Sequence, residues 1–144
     1  MSVGPICLGT IRIHLKLDHM VHVDRATTLY NGSCPVCGTE IRHYQRRCAS
    51  RGVALGWSDI TEDRQMLDAL GLTLDEAKKR LHVLTPDGTV HIGVDAFIIL
   101  WDEVPGYRWL SRFAALPGIN FCARAVYDHV LAPALFAWNK RRGR

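Results

Sequence analysis

The chain has 144 residues, 48% of them apolar and 22% charged, with 18 Lys and Arg against 14 Asp and Glu. That is one domain of ordinary globular make-up, long enough to bury about two-thirds of the surface it exposes unfolded. Disorder, collagen-like repeats and low-complexity scaffolds are excluded. No apolar run approaches the ~20 residues of a spanning helix, and a net charge of +4 is too small to point to nucleic acid. The cysteines number five, an odd count with only one close pair, unlike a dense secreted disulfide framework. The N-terminus has no long apolar signal region with a small-residue cleavage site, so a reducing, cytoplasmic compartment is expected.

In chain order, Ile11 to Asp18 alternates apolar and polar, the period of a half-buried strand. It belongs to an expected N-terminal extension, residues 1–25, as an added edge strand. Residues 26–144 form the expected domain. Ala26 to Tyr30 is rich in strand formers and runs into the turn cluster Asn31-Gly32-Ser33. Pro35 suits the first turn of a helix, which continues through Thr39–Arg51 with Ile41, Tyr44 and Cys48 on one face and Gly52 as its left-handed stop. Val53 to Trp57 reads as a short strand that breaks at Ser58-Asp59. A helix from Thr61 to Leu70 is expected to be capped by Thr61 and stopped by Gly71, and Thr73 to Glu76 has the form of a capping box.

Leu81 to Thr85, then Pro86-Asp87-Gly88, then Thr89 to Ile92 predicts a hairpin, with Gly93 as a sharp exit. Asp95 to Trp101 is a strongly apolar helix. Pro105-Gly106 and Pro117-Gly118 punctuate two further helical stretches. The last, Ile119 to Trp138, contains Pro133, which should kink or break it. The resulting order is β-α-β-α-β-β-α with an added helical C-terminal tail, an α/β sheet with helices on both faces.

The chemistry concentrates at Cys34-Pro35-Val36-Cys37, directly after a strand and opening a helix. Unpaired N–H groups and the helix dipole favour a thiolate at the first cysteine. A thiolate attacks a disulfide sulfur, and a second thiol one turn deeper can resolve the mixed disulfide. Cys34 is therefore expected to be the accessible, low-pKa nucleophile and Cys37 the shielded resolving thiol. Tyr30, Asn31, Gly32 and Pro35 form the supporting turn. A zinc site would need four ligands, and Cys48 lies roughly 16 Å further along the same helix at 1.5 Å per residue. No metal or organic cofactor is expected.

The stretch Leu29 to Cys37 resembles the opening signature of the DCC family of thiol-disulfide oxidoreductases, usually Tyr-Asp-Gly-x-Cys-x-x-Cys. Leu81-His82-Val83 through Gly88, then Gly93 to Phe97, is similar to the family's second block. Tyr127 and Trp138-Asn139-Lys140-Arg141 resemble its C-terminal block. The resemblance covers roughly residues 27 to 141 and implies a thioredoxin-like fold with Cys34 and Cys37 as the redox pair. Two departures stand out. Asn31 replaces the usual Asp, and Lys78-Lys79-Arg80 stands where thioredoxins carry a cis-proline loop. Electrons would be exchanged with a dithiol or disulfide protein, or with glutathione.

The other candidates have plainer readings. Cys48 and Cys122 read as packed small hydrophobes. The histidines are scattered, although His82 and His91 could face one another across the hairpin. Arg42, Arg46, Arg47 and Arg51 form a basic stripe, either solvated or able to favour the Cys34 thiolate. Trp101, Tyr107, Trp109 and Phe113 read as core aromatics. The alternative function is a non-catalytic accessory subunit. Its apolar tail, Val130, Leu131, Leu135, Phe136 and Trp138, followed by Lys140, Arg141, Arg142 and Arg144, would dock on a partner protein or peripherally on a membrane assembly.

Overall fold

The computed structural model describes residues 21–143. Cys7 and the alternating segment Ile11 to Asp18 lie outside the described residues. The elements run β1 (Thr27–Tyr30), α1 (Pro35–Ser50), β2 (Gly56–Asp59), α2 (Arg64–Ala69), α3 (Leu74–Lys79), β3 (His82–Leu84), β4 (Val90–Ile92), α4 (Val94–Glu103), α5 (Arg108–Ala114), α6 (Pro117–Val126), a π turn (Tyr127–Leu131) and α7 (Ala132–Arg141). The sheet order is β2-β1-β3-β4. β1 is parallel to β2 across the α1 crossover, and antiparallel to β3, which pairs with β4 as a hairpin. This is a thioredoxin-like α/β arrangement, with β1 central and its C-terminal end feeding α1.

Side chains alternate across the sheet, so each strand serves two cores. Val83 packs with Ile41, Tyr44 and Cys48 of α1 and with Ala96 and Leu100 of α4. Leu29 and Leu84 face the other way, onto Ile60, Leu67, Leu70 and Ala77 from α2, α3 and their loops. Val21 and Val23 pack against this second cluster, tying residues just before β1 to the domain. Cys48 is buried in the first cluster, the packing role its helical spacing suggests.

The hairpin register corrects one expectation. His82 pairs with Ile92 and Val83 with His91, so the two histidines project to opposite faces of the sheet. β2 begins at Gly56 and includes Ser58 and Asp59, because parallel pairing aligns Tyr30 with Asp59. The cap of α2 is Asp63 rather than Thr61. The Thr61 hydroxyl is spent donating to Asp59 at 2.7 Å, and the Asp63 carboxylate accepts from Met66 N–H at 3.2 Å. The capping box of α3 forms between Thr73 and Glu76.

Gly93 leaves β4 at φ 66°, a conformation that L side chains rarely adopt, and a Cβ there would lie 3.3 Å from the Tyr127 ring. Pro133 does not break the C-terminal helix. The backbone widens into the π turn just before it, closed by Ala132 N–H on Tyr127 C=O, and α-helix resumes at Ala132. Trp109 and Phe113 are exposed rather than buried, and so are Phe121 and Cys122. The inward side of α6 carries Arg124, whose Nη2 donates to both oxygens of Asp95 at 2.6 Å. Apolar residues spread all around such a helix do not announce which side is covered.

Candidate redox site

β1 delivers the chain to a tight turn. The Asn31 side-chain oxygen accepts from Ser33 N–H at 3.1 Å and from the Ser33 hydroxyl at 2.8 Å, the local bonding that suits Asn to turns. Cys34 N–H donates to Asn31 C=O at 3.2 Å. From the end of β2, Asp59 accepts the Gly32 N–H at 3.1 Å and the Thr61 N–H at 3.0 Å. A carboxylate therefore does stand behind this turn, but it comes from Asp59 on the neighbouring strand and not from position 31. It fills the space beside Gly32, since a Cβ there would fall 1.7 Å from Asp59 Oδ2.

Cys34 is the N-cap residue of α1, with φ −77° and ψ 119°, and its sulfur accepts from Cys37 N–H at 3.4 Å. Pro35 occupies the first helical turn, where no N–H is needed. Tyr30, half-buried, ends β1 and packs against the α1 side. Tyr30, Asn31, Gly32, Cys34, Pro35 and Cys37 thus come together in one strand–turn–helix unit.

The exposures of the two cysteines are the reverse of the expectation. Cys34 is 0% exposed, whereas Cys37 is half-buried. A side chain from the far end of the chain comes close to the Cys34 sulfur: Asn139, on the last turns of α7 and 4% exposed, is near enough to favour its thiolate. Burial alone would raise the Cys34 pKa. Cys37 N–H, Asn139, the Cys37 thiol and Val36 N–H together outweigh it, and the thiol lies below its ordinary value. The α1 arginines are not among these donors. Arg42 bonds Thr39 at 3.0 Å, and Arg47 bonds Pro105 C=O at 3.1 Å. Cys37 is pushed up to about 12, by burial first, then by its hydrogen bond to Cys34 and the charge there.

Two further residues complete the surroundings. Tyr127 donates its place at the π turn to the loop before β3, where its hydroxyl accepts Leu81 N–H at 3.1 Å. It is also close enough to Cys37 for the two groups to influence one another's ionisation. Among the described residues, Asn31 Nδ2 and Asn139 Oδ1 are buried without a hydrogen-bond partner. Along the outer face of α1, an open groove of about 610 Å³ runs from Pro35 and Val36 past Thr39 and His43 to Tyr44 and Tyr107. Among the described residues, no group of three or more His, Cys, Asp or Glu is placed to hold a metal. Asp59 carries no pattern that marks it in sequence, and Tyr127 was marked only by the C-terminal block of the family resemblance. Asn139 was visible only within the C-terminal block of the family resemblance.

The raised Cys37 pKa has a consequence for stability. Above about pH 9 the unfolded chain loses this proton while the folded chain keeps it until about 12. The unfolded state then binds fewer protons, so this group lowers stability as pH rises from about 9 to about 12. Urea midpoints should fall from pH 8 to pH 10.5 under reducing conditions, and Cys37→Ser should lessen the fall. Equal falls in both proteins would contradict this account.

A thioredoxin-like sheet with a Cys-x-x-Cys at the first turn of its first helix defines a class of thiol-bearing α/β domain. The sequence profile of the DCC1-like thiol-disulfide oxidoreductase family matches residues 28–141. The chain belongs to that family. An uncharacterized chloroplastic protein of Arabidopsis thaliana is 31% identical over 100 residues, which are 69% of this chain and 46% of that protein. The chain thus spans about half the length of the curated relative it matches. No solved structure matches it.

Proposed function

We propose that this chain exchanges thiols and disulfides through Cys34 and Cys37, with Cys34 as nucleophile and Cys37 as resolving thiol. The observation that carries this reading is the position of the Cys34 sulfur at the N-cap of α1, where it accepts Cys37 N–H at 3.4 Å, with the Cys37 thiol one turn on. The Cys34 thiolate attacks one sulfur of a substrate disulfide. An S–S bond forms to Cys34, the substrate S–S bond breaks, and one substrate thiolate leaves.

The negative charge on Cys34 is then gone, and with it two of the influences that hold the Cys37 proton. Cys37 loses that proton and attacks the Cys34 sulfur. The second substrate thiolate is released, and the Cys34–Cys37 disulfide remains, two electrons oxidised. A dithiol protein or glutathione returns those electrons. The α1 groove, with Val36 exposed at its mouth, gives a substrate segment a surface next to the pair.

Counting reactive thiols in the native protein tests the assignment. Mild oxidation should remove two thiols per chain, a dithiol reductant should restore both, and Cys34→Ser should abolish the reversible change. An unchanged count on oxidation would refute it.

A further inference from the structure

From Pro105 to the C-terminus the chain has one acidic residue, Asp128, against seven basic ones. The positive surplus of the whole chain therefore lies in its last helices. Arg124 is paired with Asp95, and Arg80 with Asp128 at 3.3 Å, so both charges of α6 and the π turn are turned inward and matched. What remains outward is apolar apart from His129. Phe121 is 75% exposed, Val126 59% and Val130 62%, and Cys122 and Ala125 between them are also exposed. With about 100° between successive residues, these positions form one stripe along the helix.

The preceding helix adds Trp109, 68% exposed, and Phe113 four residues on, beside the exposed Arg112 and beside Arg108, which pairs with Asp102 at 3.7 Å. At the other end stand the exposed Lys140, Arg141 and Arg142. The tail's own Leu135, Phe136 and Trp138 are half-buried, with Lys79 over the Phe136 ring and Arg142 over Trp138. The exposed apolar surface therefore centres on α5, α6 and the π turn, meeting the segment first singled out only at Val130 and Leu131.

We infer that this face docks on the surface of an anionic lipid bilayer, lying in the interface without crossing it. A largely apolar stripe with aromatic residues and His129, bordered by Arg112 at one end and by Lys140, Arg141 and Arg142 at the other, matches the layering of such a surface: acyl chains beneath, anionic headgroups around. No described helix is long and apolar enough to cross a membrane. A second copy of this chain would bring like-charged rims together. The inference does not depend on the thiol chemistry, so each can fail alone.

The test is flotation of the full chain with vesicles of equal parts phosphatidylcholine and phosphatidylglycerol, and with phosphatidylcholine alone. Binding should require the anionic lipid and weaken with salt. The double variant Phe121→Ser, Val130→Ser should lower binding by about tenfold or more, with its far-ultraviolet circular dichroism unchanged. Brominated lipid should quench tryptophan emission of the wild type, and less so that of Trp109→Phe. No binding to anionic vesicles, binding untouched by the double variant, or burial of the stripe in a stable dimer by sedimentation would each overturn the inference.

Discussion

A Cys37→Ser variant should accumulate mixed disulfides through Cys34, while Cys34→Ser should lose exchange activity by about a thousandfold or more. The asymmetry follows from the two environments. Cys34 accepts Cys37 N–H at 3.4 Å and lies beside further polar groups that favour its thiolate, and a serine hydroxyl in its place stays protonated at neutral pH. Cys37 holds its proton up to about 12 while Cys34 is charged, so it does not compete as the first nucleophile. Once Cys34 is in a mixed disulfide, Cys37 is the group placed one turn away to release it. Removing Cys37 stops the cycle at that adduct.

The burial of Cys34 adds a kinetic expectation. Alkylation by a small reagent near neutral pH should favour Cys34 by ionisation and be slowed by cover, so the pH profile of the rate is more telling than the rate. Cys34 modification should level off at lower pH than that of Cys37 or Cys48. Mass spectrometry of the trapped adducts reads the first outcome directly. Turnover by Cys37→Ser without a trapped species, or a Cys37 profile that levels off below that of Cys34, would reverse the assignment.

Gly32→Ala should destabilise the fold by about 2–4 kcal/mol, a large loss for an exposed-looking turn residue. The added methyl would sit where Asp59 Oδ2 now lies, at 1.7 Å. That carboxylate is not free to swing aside at no cost, because it holds Gly32 N–H, Thr61 N–H and the Thr61 hydroxyl together. Displacing it leaves these donors without their charged acceptor and loosens the joint between β1 and β2 just ahead of Cys34. Chemical denaturation reads the stability. A variant within about 0.5 kcal/mol of wild type would mean that Asp59 relocates without loss.

Much of the architecture was legible because local signals agree with it. Asn31-Gly32-Ser33 and Pro86-Asp87-Gly88 are turn formers between strand-forming runs, and Thr73 to Glu76 caps a helix in isolation as it does here. The thiol pair was legible for the same reason: a strand, a turn and a helix start within a dozen residues. The cover over Cys34 was not legible, because Asn139 arrives through packing of α7 near the other end of the chain. Asp59 was hidden too. Its part depends on parallel pairing between β1 and β2, which no local pattern declares. The exposed α5 and α6 apolar residues misled because helical periodicity separates faces only where polar residues mark one of them.

The π turn carries a consequence in helical phase. Tyr127 and Asn139 both point inward, one to Leu81 N–H and the other to Cys34. In an unbroken α-helix, twelve residues at about 100° each would leave them roughly 120° apart around the axis. The extra residue in the turn from Tyr127 to Leu131 absorbs one such step, bringing them to within roughly 20°. Ala132, closing that turn and buried, lies on the same line. One widened turn thus sets the rotation of α7, and through it whether an amide or an apolar side chain meets the Cys34 sulfur.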